Sequence, residues 1–97
     1  MIHHILIYKF KIGIDRIEEH LEMIIQFKDN VDGLVDLKCG RNINEQFSLE
    51  FTHGFIMTFV DQEALLKYNQ SESHSKLVNT FKDDIENKKV IDFEDFN

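Results

Sequence analysis

The chain has 97 residues, 42% of them hydrophobic and 30% charged, enough for one domain with a single modest core and too few for two. Eighteen Asp and Glu against 11 Lys and Arg give a formal charge of −7. That balance repels phosphate backbones, and no basic stripe gathers the cations, so neither nucleic acid nor an anionic membrane is an expected partner. No apolar run approaches the roughly 18 residues of a membrane span. Met1 leads into strand-like sequence with no basic or apolar leader pattern, so a cytoplasmic chain is expected. Cys39, the single cysteine, reads as a small core or interface residue rather than half of a disulfide or a metal pair.

In chain order, residues 2–10 alternate as a strand with both faces covered. Ile2, His4, Leu6, Tyr8 and Phe10 lie on one face, and His3, Ile5, Ile7 and Lys9 on the other. Asp15 followed by Glu18 reads as a capping-box variant, and Ile14, Ile17, Leu21, Ile24 and Ile25 recur at helical spacing through Phe27. In that helix His20, flanked by Glu18, Glu19 and Glu22, is expected to be solvated. Asp32-Gly33 marks a turn into a second strand, LVDLKCG, with Val35, Leu37 and Cys39 sharing a face.

Residues 41–50 are polar and loop-like, and FTHGFIMTFV at 51–60 is the clearest strand. Asp61 can cap a short helix, DQEALLKYN, which falters at 70–73 and resumes with Leu77, Val78, Phe81 and Ile85 as a buried stripe. VIDF forms a last short strand before an acidic tail. The order is βαββαβ with a broken second helix: an α+β, ferredoxin-like domain whose antiparallel four-stranded sheet carries its helices on one face. The other face presents Ile5, Ile7, Ile56 and Val60, too apolar to leave in water, so a homodimer with its two sheets face to face is expected.

His4 and His53 sit on the helix-facing sides of two strands, and His74 lies on the stripe of the resumed helix, so the three are expected to enter one polar-lined cavity. Histidine transfers protons near neutral pH, and Tyr68 and His74 flank the helix break, which makes them the candidate acid/base pair. Ser71, Ser73 and Ser75 around His74 are helix-start residues rather than nucleophiles. No H-x-x-x-H, H-E-x-x-H or C-x-x-C spacing is present, so no metal and no cofactor is expected.

The opening HHILIYKFK, GRN after the second strand, THGFIMTF, DQEALLKY, the segment from Ser71 to Val78 and the closing VIDFE together resemble the stress-responsive A/B barrel (Dabb) family. The resemblance spans residues 1–94. It implies a single domain over 1–97, a ferredoxin-like protomer, and a dimer forming an α/β barrel. Some members are enzymes with a pocket between sheet and helices, and this correspondence implies Tyr68 and His74 as catalytic residues. It likewise places His4, Leu6, Tyr8, Leu21, Ile24, His53, Phe55 and Leu77 around a small ligand. Members commonly read H-P-x-H where this chain has Ser71-Glu72-Ser73-His74, keeping only the final histidine. Some hold a cation on backbone carbonyls, at positions that fall here at Lys28, Val31 and Leu34. The resemblance implies either a cofactor-independent lyase or cyclase acting on an apolar or aromatic carbonyl metabolite, or a non-enzymatic, stress-protective scaffold.

Overall fold

Strict alternation along β1 (Ile2–Phe10) organises the structure. Its even-numbered side chains from Ile2 to Phe10 are all buried, while the odd-numbered ones are half-buried or exposed. In this computed structural model, which describes residues 1–47 and 49–97, β1 is followed by α1 (Ile17–Ile25), which tightens into a 3-10 turn at Gln26–Asp29. Then come β2 (Leu34–Arg41), β3 (His53–Phe59), α2 (Gln62–Asn69), α3 (Glu72–Phe81), a 3-10 turn at Lys82–Asp84, and β4 (Ile85–Glu94). The sheet order is β2-β3-β1-β4 with every neighbour antiparallel, and the helices lie on one side: the ferredoxin-like α+β arrangement.

Phe55, Met57 and Phe59 of β3 meet the even residues of β1 in the same layer, and Ile24, Phe27, Leu65, Leu77 and Phe81 close over them. Each such side chain taken from water contributes roughly 1.5–3 kcal/mol, which is what orders these short helices. Gly33 makes the tightest approach between layers. Its φ is +78°, and a Cβ there would lie 2.5 Å from Ala64 Cβ, so only glycine admits both the turn and the close packing of α2.

Several details depart from the sequence pattern. Asp15 does not cap α1. The helix begins after Arg16, whose guanidinium is drawn instead to Asp84 (Nε to Oδ2, 2.6 Å) and to the Thr80 carbonyl (2.8 Å). Val35 is exposed and Leu34 takes the buried place, because the β2–β3 register slips between Leu34 and Asp36. β3 covers 53–59 rather than 51–60. Ile85 opens β4 instead of closing a helix, and β4 is ten residues long because it pairs along the whole of β1. The uncovered face is apolar as expected and extends onto β4: Ile5 pairs with Ile91 and His3 with Phe93, and Ile91 and Phe93 are 59% and 44% exposed.

His20 is the largest departure. It is 1% exposed, packed between the rings of Tyr8 (4.9 Å between centroids), Phe10 (5.3 Å) and Phe81 (4.5 Å). The buried stripe of α1 runs through His20 and Ile24 to Phe27, one step away from the Leu21 phase, and Leu21 is half-buried. Burial pushes the imidazole down to about 4, with a smaller opposing pull from Asp84. Between about 4 and its ordinary 6.5 the unfolded chain takes up a proton that the folded chain refuses, so stability rises with pH through that window and is lost as pH falls. Denaturant titrations from pH 7 to pH 4 are expected to show a His20-dependent loss of about 3 kcal/mol, absent in His20→Phe. Parallel pH profiles for the two proteins would refute the assignment.

Candidate functional site

The break between α2 and α3 is built by two side-chain caps. Asp61 starts α2 by accepting from Ala64 N–H (2.9 Å). Ser71 starts α3, and its hydroxyl does two things: it accepts from His74 N–H (3.1 Å) and donates to the Tyr68 carbonyl (2.7 Å). One hydroxyl thus fixes the last turn of α2 against the first turn of α3. The two rings it positions, Tyr68 and His74, meet edge to face at 5.1 Å. Ser71 does by capping what a proline would do by its fixed φ.

His4 reaches the same cluster from β1, 6.1 Å from the Tyr68 ring and 5.8 Å from Phe55. The β1–β4 register sets His4 opposite Asp92, and His4 Nδ1 stands 2.5 Å from Asp92 Oδ1. The imidazole Nδ1–H donates to the carboxylate oxygen. Asp92 was not foreseen. It lies 88 residues from His4, and only the long pairing of β4 brings it there.

The electrostatics sort the groups by role. Burial lowers the pKa of His74, with His4 and Lys88 adding to the effect and the backbone of Asn69 partly offsetting it. At neutral pH the ring is therefore free to accept a proton. Burial pushes Tyr68 upward, so its phenol stays protonated and acts as a donor.

The three histidines do not surround one cavity. His53 pairs across the sheet with Tyr8, four residues or about 13 Å along β1 from His4. It packs on Phe10 (5.3 Å), and its Nδ1 lies 2.9 Å from Thr52 Oγ1. Burial lowers its pKa, and Arg41 adds to this. The space among His4, His74 and the sheet is filled by Tyr68, itself 2% exposed, which meets Phe27 edge to face and Phe59 at a tilt. Leu6, Ile24 and Phe55 are core residues, and Leu21 stands at the half-buried edge of α1.

A separate open cavity of about 330 Å³ lies between α3 and the start of β4. Tyr8, His20, Leu77, Val78 and Ile85 line it together with the polar side chains Lys82, Glu86 and Lys88. Tyr8 and Leu77 are thus placed at a cavity, together with His20. Lys88 relates the cavity to the cluster, since its charge acts on His74. Among the described residues no group of three His, Cys, Asp or Glu side chains is placed to hold a metal ion. The Val31 carbonyl accepts the Leu34 N–H at 3.2 Å.

A family model described as the stress responsive A/B barrel domain matches residues 2–95. The chain belongs to that family. Solved structures agree on the fold of this A/B barrel protein. An Arabidopsis thaliana protein superposes with a TM-score of 0.91 at 23% identity, over 100% of this chain and 97% of that one. A dimeric ferredoxin-like protein from Jannaschia sp. gives 0.85 at 25% identity, over 97% and 98% of the two chains. A hydroxynitrile lyase from Passiflora edulis gives 0.89 at 17% identity, over 99% and 94%. A comparison with curated proteins finds no match. Among the described residues no helix is long and apolar enough to cross a membrane.

Ser71→Ala removes the bridge between the helices and is expected to cost about 1 kcal/mol in urea denaturation, while His74 and Tyr68 ring resonances broaden in NMR spectra. Unchanged stability and line widths would show that packing alone holds the pair.

Proposed function

We propose that this A/B barrel protein acts in the cytoplasm as a homodimer, with each protomer binding a small apolar or aromatic carbonyl metabolite in the groove between α3 and β4. The observation that carries this reading is the set Asp92, His4, Tyr68 and His74, with an open cavity beside α3 and β4 whose lining residue Lys88 acts electrostatically on His74. In the proposed reaction His74 takes a proton from the bound metabolite. Tyr68 donates a hydrogen bond to the oxygen on which negative charge develops, and Asp92 holds the His4 ring beside them. The electron pair left by the proton then either expels a leaving group from the adjacent carbon, as in a cofactor-independent lyase, or attacks a second carbonyl carbon of the same molecule, as in a cyclase. That a hydroxynitrile lyase is built on this fold supports the feasibility of the chemistry.

The dimer rests on the apolar sheet face, where a shallow groove of about 540 Å³ passes over Ile5, Ile7 and Ile56, and on the dimeric state of the Jannaschia protein. A non-enzymatic, stress-protective scaffold is the second reading. It is favoured by the near-complete burial of Tyr68, which leaves the histidine cluster closed.

Screening small carbonyl and aromatic compounds for thermal stabilisation supplies a ligand. His74→Ala is expected to lower its turnover about 100-fold or more with the dimer intact. Undiminished turnover would remove the proposed base, and the absence of turnover for any stabilising compound favours the scaffold. Sedimentation at micromolar concentration is expected to give twice the 11.5 kDa chain mass, and Ile91→Asp should halve it. A monomeric wild-type protein would contradict the covered face.

A further inference from the structure

His20 belongs to no part of that reaction, yet it is an anomalous polar group. Among the described residues neither ring nitrogen has a hydrogen-bond partner, and both are closed to water. Buried polar side chains are nearly always paired, so an orphaned imidazole in a core calls for a partner that the chain itself does not provide. The nearby carboxylate is already engaged: Asp84 receives Arg16 Nε at 2.6 Å and Nη2 at 3.1 Å. The His20 ring forms part of the wall of the 330 Å³ cavity, beside Tyr8, Leu77 and Val78.

We infer that His20 is a specificity-determining residue of this cavity, selecting a small aromatic ligand that carries an uncharged hydroxyl. The inference rests on the proposed binding function and names its ligand class. A neutral imidazole offers one donor and one acceptor, and a hydroxyl can satisfy either. An anion held against His20 would lose its hydration among the faces of Tyr8, Phe10 and Phe81, and burial keeps the imidazole itself uncharged at neutral pH. An aromatic body matches the ring-lined wall, and the volume is at the lower end of the roughly 300–1,000 Å³ common for small-ligand sites. Contact requires the His20 ring to turn about its Cβ–Cγ bond toward the cavity, exchanging a buried orphan for a hydrogen bond.

The test uses the full chain with ¹⁵N-labelled histidine, titrated with phenol, toluene and benzoate. Phenol is expected to bind and to shift the His20 ring nitrogens, with toluene and benzoate at least about ten-fold weaker. His20→Phe, which keeps the aromatic packing, should erase the preference for phenol over toluene, and His20→Gln should restore part of it. Unmoved His20 nitrogens in the wild-type protein, failure of phenol to bind at millimolar concentration, or a preference that survives His20→Phe would each overturn the inference. If His74→Ala rather than His20→Phe removes the preference, the hydroxyl site lies at the His74 cluster, and the inference fails while the proposed function stands. If His20→Phe removes it and no turnover is found, the inference stands while the catalytic reading fails.

Discussion

The register of β1 between its two neighbours is the constraint on which the rest depends. Pairing with β3 on one side and β4 on the other fixes which cross-strand residues share each level of the helix-covered layer. At the level of His4 it brings in Met57 and Asp92; at the level of Tyr8 it brings in His53 and Lys88. A slip of one residue would exchange the two faces, burying His3 and Lys9 and exposing Leu6 and Tyr8. The same register therefore holds the core, leaves the apolar face of Ile5 and Ile91 uncovered, and divides the polar groups between two levels of the helix-covered layer.

That division explains why the sequence pattern was readable for the fold and less so for the site. Period-two alternation placed β1 and most of β3 correctly, since one buried face writes itself into every second residue. β4 was read as four residues because it is an edge strand: Glu86, Lys88, Asp92 and Glu94 are tolerated where one side of the strand meets solvent, and the run looks like a tail. Asp92 lies within those four residues, but so short a run does not reveal its register against β1, and the place opposite His4 stays hidden. Nothing local marks that pair, since only the sheet joins two residues so far apart in sequence.

His20 was misread for a different reason. Its neighbours Glu18, Glu19 and Glu22 are those of a solvated position, and the apolar residues of α1 fit two helical phases. The phase is decided outside the helix, by Arg16 tying its start to Asp84 beyond α3 and by the cage of Tyr8, Phe10 and Phe81. Tertiary contacts override a local polar pattern when the alternative leaves a hole among large rings. Likewise, His4, His53 and His74 share one layer, as alternation requires, yet a shared layer does not bring them together. The about 13 Å between the levels of His4 and Tyr8 is decisive, and Tyr68 occupies the space beside His4.

The two levels of the layer also differ in how their polar groups are satisfied. At the His4 end each group has a fixed neighbour: Asp92 for His4, and the Ser71 cap holding Tyr68 against His74. Pre-formed geometry of this kind suits proton transfer, because little must reorganise when charge develops. At the Tyr8 end the walls are mostly apolar and the buried histidine is unsatisfied, so there is empty volume and an unmet hydrogen-bonding requirement. Lys88 lines the cavity and its charge also lowers the pKa of His74, so the two regions are joined electrostatically although their polar groups are satisfied in different ways.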